Sequence, residues 1–285
     1  MSGPGVRIQT PATPNAAVEA SSSLPDARFF AGGTDLMVDI HRNGVRPAGF
    51  ILLSGIPALR QIAITDSHVQ LGSAATMAHL LEDEKTPDLL RQAARTLGTR
   101  QIRTNATIGG NVAVPRANHT MLAPLLALGA HVVSLAPQGE RTEPIESFLQ
   151  RTLHEHELLT RVDVPLSPSH ATTYLRVGPR NGPCYPTVDF AITIDPSGQR
   201  IRAGIGGAAP TALCPFEADA FASGAIDWNA DSIPDEVATE YAQRVVGLTD
   251  PVTDVVATAA YRKHAVTVMA RRALQRTWLE VSRGR

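Results

Sequence analysis

Apolar and polar positions in the first part of the chain follow two spacings in turn, that of helices and that of strands. In residues 88–97 the apolar residues fall on one helical face, and Gly98 is a typical residue after a helix C-terminus. The residues on that face are Leu90, Ala93, Ala94 and Leu97. The same reasoning predicts helices at 14–22, 34–43 and 121–128, and strands at 6–10, 27–30, 50–54, 62–65, 69–72 and 131–135.

Residues beyond 165 follow a different order, with strands first and helices afterwards. Segment 165–171 carries two prolines among small polar residues, a composition typical of a linker. Strands are predicted at 173–177, 188–194 and 200–204, with a hairpin turn at 196–198 between the last two. Helices are predicted from Pro234, where proline and two acidic residues suit a first turn, and over 253–281. The two orders together indicate an α+β protein in three parts.

The charge and composition of the chain exclude several classes of partner. It has 26 basic and 27 acidic residues, a formal net charge of −1, and no basic stripe. With only two Trp and four Tyr, it also has few of the aromatic residues that stack on bases. No apolar run approaches the roughly 18–20 residues that cross a bilayer, and the N-terminus has no signal-peptide pattern. We therefore expect neither a nucleic-acid partner nor a membrane span.

Cysteine is scarce, since the chain has only Cys184 and Cys214 and no CxxC pair. This usage is typical of the reducing cytoplasm, which is the location we expect. An iron–sulfur cluster normally needs four protein ligands, mostly Cys, so any such cluster must sit on another polypeptide. The run His154-Glu155-His156-Glu157 has no third ligand nearby and is interpreted as a solvated segment. No metal site is predicted.

Two glycine turns are the sharpest feature of the sequence: Ala31-Gly32-Gly33-Thr34-Asp35-Leu36 and Thr107-Ile108-Gly109-Gly110-Asn111. A pair of glycines lets the backbone approach a ligand closely, with amide N–H groups available to an anion. The first turn opens a predicted helix, whose N-terminal N–H groups favour a phosphate. One such turn alone is an ordinary strand–helix connection. Two in one fold indicate a pyrophosphate held from both sides.

These turns resemble the AGG and TIGGN loops of the FAD-binding subunits of molybdenum hydroxylases. That family includes the medium subunits of carbon monoxide dehydrogenase and the FAD domains of xanthine dehydrogenase. Segments 174–180, 205–211 and 260–265 are also similar to the family's signatures and occur in its order. The resemblance implies two FAD-binding subdomains of the vanillyl-alcohol-oxidase type, followed by a C-terminal antiparallel sheet with helices. We expect these parts at 1–55, 56–168 and 172–285.

The resemblance also implies which residues hold FAD. For the pyrophosphate they are the residues of the two turns: Ala31, Gly32, Gly33, Thr34, Asp35, Leu36, Thr107, Ile108, Gly109, Gly110 and Asn111. Leu159 is expected against the flavin and Arg176 near its pyrimidine end. Thr120 is included, although it stands where many relatives have an aspartate, so an acidic contact is missing. Arg116 is an additional positive charge, for which contact with a phosphate and exposure to solvent both stay open.

The implied function is that of an oxidoreductase subunit with no catalytic residue of its own for substrate. Substrate is oxidised at a molybdopterin centre on a large subunit, electrons pass through iron–sulfur clusters on a small subunit, and FAD here delivers them to an external acceptor. The expected assembly is a dimer of such heterotrimers. Two alternatives stay open, a free-standing FAD-dependent oxidase of related fold and a flavin-free scaffold subunit. An oxidase needs an acid–base residue in a substrate pocket, whereas a scaffold has no reason to keep both glycine turns.

Overall fold

The computed structural model describes residues 6–114, 116–166, 171–179 and 184–284. Its first part is a three-stranded parallel sheet in the order β1 (Arg7–Gln9), β3 (Gly49–Leu52), β2 (Ala27–Phe30). Helix α1 (Pro14–Ser23) begins after Thr13, whose side chain accepts a hydrogen bond from the N–H of Ala16. Helix α2 (Leu36–Arg42) follows β2, so the first glycine turn lies at the C-terminal end of that strand.

The second part is a five-stranded antiparallel sheet covered by short helices. The strand order is β4 (Ile62–Ile64), β5 (His68–Gly72), β8 (Leu158–Pro165), β6 (His131–Ala136), β7 (Gly139–Pro144). A 3₁₀ turn lies at Pro57–Arg60, and the helices are α3 (Met77–Glu82), α4 (Asp88–Thr96), α5 (Arg100–Arg103), α6 (Ile108–Ala113), α7 (Leu122–Leu128) and α8 (Ile145–Phe148). The apolar face predicted for residues 88–97 is buried in the core of this part.

Helix α7 is apolar all round because it lies between two sheets. It contacts β8 of the second sheet and β10 (Val188–Asp195) and β11 (Arg200–Gly206) of a third sheet. The approach to β11 is close, since a Cβ on Gly204 would lie 2.1 Å from the carbonyl oxygen of Ala123. Arg202 of β11 also donates to the carbonyl oxygen of Leu126 at 2.7 Å. Helix α7 therefore joins the second and third parts of the molecule.

The third part is an antiparallel sheet in the order β11, β10, β9 (Ala171–Val177), with helices α9 (Phe216–Ala225), α10 (Asp235–Gly247) and α11 (Ala259–Arg283). Strand β10 is buried along almost its whole length because α7 covers one face and α11 the other. Trp278 of α11 is among the largest fully buried side chains. The predicted α+β architecture, with an antiparallel C-terminal sheet and helices, is confirmed.

The structure differs from the prediction in the start of one helix and in the presence of another. The helix expected over 253–281 begins only at Ala259, because the side chain of Asp254 accepts the N–H groups of Val256 and Ala257 and holds a loop. Helix α9 was not expected, because its buried positions are two alanines and an aspartate. Residues 167–170 of the expected linker and Arg180 lie outside the described residues. Within the described ranges, no helix is long and apolar enough to cross a membrane.

Candidate cofactor site

The two glycine turns meet across one cavity of about 290 Å³. Their surroundings are packed so closely that side chains are excluded. A Cβ on Gly32 would lie 1.8 Å from the carbonyl oxygen of Asn105, and one on Gly109 would lie 2.6 Å from that of Ser73. Glycine at these two positions is therefore required by contacts inside the protein itself.

The first turn has backbone donors that no group in the described part of the chain uses. Gly33 has a φ of +69°, and a Cβ there would also lie 2.4 Å from the ring of Phe30. Its carbonyl oxygen accepts the N–H of Met37 at 2.9 Å, which starts α2. In the described part of the chain, the N–H groups of Gly33, Thr34 and Asp35 have no acceptor. These N–H groups are available to an anionic ligand.

The backbone of the second turn is already hydrogen-bonded within the protein. Thr107 caps α6 by accepting the N–H of Gly110 at 3.1 Å, and Gly109 donates to the carbonyl oxygen of Ser73 at 2.8 Å. The side-chain oxygen of Asn111 accepts the N–H of Met121 at 2.9 Å. This turn therefore offers a ligand the Thr107 hydroxyl and the Asn111 side-chain amide rather than backbone N–H groups.

The structure brings most of the expected site residues to this cavity. Its lining includes Ala31, Gly32, Gly33, Thr34, Asp35, Leu36, Thr107, Gly109, Gly110, Asn111 and Leu159. Ile108 and Thr120 do not line it; both side chains are buried, and that of Ile108 packs in the core of the second part. Arg176 does not line it either, because its guanidinium donates to the carbonyl oxygens of Thr96 and Cys184 at 2.6 and 2.7 Å. Arg176 instead lines a groove beside α11.

The cavity also contains residues that the sequence analysis missed. Ser73 comes from the end of β5, and Leu153 and Glu157 from the segment before β8. Arg28 belongs to β2, just before the first glycine turn, and its place in the chain is the signal that could have indicated it. Ser73 has no such signal, because only the fold brings it against Gly109.

Asp35 lies in the cavity wall with partners of its own. Its carboxylate accepts the Tyr185 hydroxyl at 2.5 Å and lies 3.7 Å from Nε2 of His119. Burial disfavours the ionised carboxylate, but the contacts with His119 and Tyr185 outweigh burial and hold the pKa of Asp35 below its ordinary value. Burial and the neighbouring carboxylate raise the pKa of Tyr185. Asp35 is therefore an ionised carboxylate at neutral pH.

His119 connects both turns with the third part of the molecule. It is fully buried, and its Nδ1 lies 2.7 Å from the carbonyl oxygen of Asn111. Because a carbonyl oxygen only accepts, Nδ1 is protonated and donates to it. The imidazole stacks on the Tyr185 ring with centroids 5.4 Å apart and an interplanar angle of 17°. The cavity wall is thus tied to the C-terminal part through His119 and Tyr185.

The other two carboxylates of the cavity are paired with arginines. Asp39 contacts Arg116 at 3.2 Å, so Arg116 binds α2 rather than standing in solvent. Glu157 contacts Arg151 at 2.6 Å. Burial raises the pKa of Glu157, but hydrogen bonds from Arg151 and Ser134 lower it to about 2. The interpretation of residues 154–157 as solvated is wrong for Glu157, which is 5% exposed.

Two observations fit this cavity to FAD. The Ser73 hydroxyl is buried and has no hydrogen-bond partner among the described residues, as expected of a group that a ligand satisfies. A Cβ on Gly110 would meet only Oγ1 of Thr107, at 3.1 Å, so the absence of a side chain there keeps the cavity open. The cavity shares lining residues with a neighbour of about 280 Å³, and the elongated space suits a dinucleotide.

Comparisons with known proteins agree with this geometry. Residues 4–167 match the family described as FAD binding domain in molybdopterin dehydrogenase, and residues 174–277 match the CO dehydrogenase flavoprotein C-terminal domain. The carbon monoxide dehydrogenase medium chain of Hydrogenophaga pseudoflava is 27% identical over 270 residues, which are 89% of this chain and 90% of that one. Subunit alpha of the 6-hydroxypseudooxynicotine dehydrogenase complex of Paenarthrobacter nicotinovorans is 29% identical over 266 residues, 87% of this chain and 86% of that one.

The solved structures show the same similarity. A chain of the reconstituted CO dehydrogenase from Oligotropha carboxidovorans superposes with a TM-score of 0.89 at 26% identity, over 98% of this chain and 99% of that one. The family resemblance of the sequence is thereby confirmed. The chain belongs to the FAD-binding domain family of molybdopterin dehydrogenases and carries the C-terminal domain of CO dehydrogenase flavoproteins.

Proposed function

We propose that this chain is the FAD-binding electron relay of a molybdenum hydroxylase complex and holds the FAD diphosphate between its two glycine turns. The observation that carries the proposal is that both turns of an FAD-binding family line a single cavity. The Ser73 hydroxyl beside it, which has no partner among the described residues, adds support. When bound, FAD supplies the redox chemistry, and the protein supplies its binding and orientation.

The protein's own groups have separate roles in this proposal. The N–H groups of Gly33 and Thr34 donate to the diphosphate, and the Thr107 hydroxyl and Asn111 amide donate from the opposite wall. Leu159 gives an apolar contact for a ring of the cofactor. This division follows from the different use of backbone N–H groups in the two turns, which are unpaired in the first and bonded within the protein in the second.

The proposed partners are a small iron–sulfur subunit and a large molybdopterin subunit, in a dimer of heterotrimers. Support comes from relatives described as a medium chain and as a subunit of a dehydrogenase complex. It also comes from the two cysteines of the sequence, which are too few for an iron–sulfur cluster. An external acceptor then takes the electrons. The cytoplasmic location is part of the same proposal and rests on the scarcity of cysteine.

The proposed division of the chain is 1–55 and 56–168 for two FAD-binding subdomains and 172–285 for the C-terminal domain. Three separate sheets among the described residues support it, one parallel and two antiparallel. The cavity lies where the first two of these parts meet, because its walls come from both glycine turns.

The visible absorption spectrum of the purified full chain, after addition of FAD and removal of the excess, tests the proposal. We expect a flavin band that corresponds to one FAD per chain and that disappears on anaerobic addition of dithionite. A folded chain that retains no flavin would instead support the scaffold alternative. Oxidation of an organic substrate by the chain alone would support the free-standing oxidase.

A further inference from the structure

Arg28 occupies a distinctive place in the cavity wall. It lies on β2, directly before the first glycine turn, and its side chain is exposed. It lines both the cavity between the turns and the neighbouring cavity of about 280 Å³. Two other arginines line that neighbouring cavity, Arg116 and Arg151, and both have carboxylate partners.

The charged residues that line the cavity differ in whether they have a partner of opposite charge or a hydrogen-bond partner. Three carboxylates line it, and each has its own partner: Asp35 with Tyr185 and His119, Asp39 with Arg116, and Glu157 with Arg151. Arg28 is the one basic residue among the described residues that line this cavity. No carboxylate of the described residues lies within 4.0 Å of its guanidinium. The cavity therefore contains one positive charge that no carboxylate of the described residues neutralises.

A diphosphate requires a nearby positive charge more than an uncharged ligand does. Both of its phosphates are ionised at neutral pH, and in this cavity they would lie beside three carboxylates. An unpaired anion taken out of water is strongly disfavoured unless a cation accompanies it. A guanidinium suits the role, because it stays protonated and donates two parallel hydrogen bonds to phosphate oxygens. Because Arg28 is exposed, it can do so with little loss of its own hydration.

We infer that Arg28 is the counter-cation of the FAD diphosphate and that it sets the electrostatic part of the affinity for FAD. The inference rests on the proposed cofactor site and adds to it a residue outside both glycine turns. The inference separates two parts of FAD. Binding of the diphosphate depends on Arg28, whereas binding of the isoalloxazine ring does not.

The test compares FAD with riboflavin, which has the same ring system and no phosphate. The full chain without flavin is titrated with each ligand at several salt concentrations, as wild type and as Arg28→Gln, Arg28→Lys and Arg28→Glu. Arg42→Gln is the matched control, because Arg42 is an exposed arginine of α2 that does not line the cavity. Thermal unfolding without ligand establishes that each variant is folded.

We expect Arg28→Gln to weaken FAD binding on the order of tenfold and Arg28→Glu to weaken it more, while Arg28→Lys retains part of the affinity. The loss of FAD affinity with rising salt should be shallower in Arg28→Gln than in wild type, and riboflavin affinity should not change. An Arg28→Gln variant that binds FAD with the affinity and salt dependence of wild type would overturn the inference. Equal weakening of FAD binding and riboflavin binding in that variant would overturn it as well. A wild-type chain that binds no FAD would overturn the proposed function itself, a result distinct from either.

Discussion

At the residue scale, the four glycines of the two turns are glycine for different reasons. Gly32 and Gly109 permit contacts with the backbone of Asn105 and Ser73, and Gly33 adopts a positive φ beside the Phe30 ring. Gly110 has a negative φ, and a Cβ there meets only the Thr107 hydroxyl. A substitution at Gly110 therefore tests the ligand space, whereas one at Gly33 also disturbs the protein.

Gly110→Ala should lower FAD affinity at least about tenfold without unfolding the chain, because the methyl group enters space that the cofactor needs. The apo variant should be as stable as wild type or more stable by roughly 0.5–1 kcal/mol, since Gly110 lies within α6. Flavin content after purification and thermal unfolding measure the two effects. Gly224→Ala in α9, where a Cβ meets nothing within 4 Å, is the control. A Gly110→Ala chain that retains full flavin would contradict the site.

Ser73→Ala should have effects of opposite sign on the apo protein and on FAD binding. Without ligand, the buried hydroxyl lacks a partner among the described residues, so its removal should stabilise the chain by roughly 1 kcal/mol. With FAD, removal of a hydrogen-bond donor should weaken binding about fivefold. Denaturation of the apo chain and titration with FAD measure both. A destabilised apo variant with unchanged FAD affinity would show that Ser73 has a structural role only.

At the scale of the element, β10 has a carboxyl group in a place that excludes water. Asp189 is fully buried and accepts the Tyr174 hydroxyl of β9 at 2.8 Å. Burial raises the pKa of Asp189 to about 7, against the hydrogen bond from Tyr174 and the charge of Arg176. The folded state therefore keeps this proton at pH values where the unfolded chain, with a carboxyl pKa of 3.8, has lost it.

It follows that Asp189 makes the chain less stable as pH rises from about 4 to about 7, because the folded state holds its proton more tightly than the unfolded chain does. Asp189→Asn keeps an acceptor for Tyr174 and removes the titration. We expect a smaller decline of the unfolding free energy over this range, and at pH 8 a variant more stable than wild type. Burial also raises the pKa of Asp219 to about 7. Part of the decline in unfolding free energy should therefore remain in both proteins. Identical pH dependence in the two would refute this account of β10.

The elements that the sequence predicted well are those with local signals at their ends. Gly98 and Gly129 follow their helices and have a positive φ, as is typical of a glycine that ends a helix. The predicted start of α11 was wrong because Asp254 forms a turn with the following N–H groups and also pairs with Arg262. Helical spacing in the sequence shows neither interaction. The amphipathic pattern indicates that a helix exists better than it indicates where that helix begins.

At the scale of the whole molecule, the cavity depends on all three parts. The first and second parts each contribute a glycine turn, and the third contributes Tyr185, which reaches Asp35. The turns were predictable because short motifs carry them. Ser73 and the pairing of Arg116 with Asp39 were not, since both result from contacts between residues distant in the chain. The expected contact of Arg176 with the flavin stays a prediction, and in the structure its guanidinium is bound to backbone carbonyl oxygens.

We expect this chain to relay electrons and not itself to oxidise substrate. The most direct measurement is bleaching of the flavin band in the FAD-loaded chain under anaerobic conditions, alone and with its partner subunits restored. Dithionite should bleach the flavin in both cases, because reduction of FAD needs no other centre. A compound that the assembled complex oxidises should bleach it only when the iron–sulfur and molybdopterin subunits are present. Oxidation of that compound by the isolated chain, at a rate comparable to that of the complex, would show that the chain is an oxidase and not a relay.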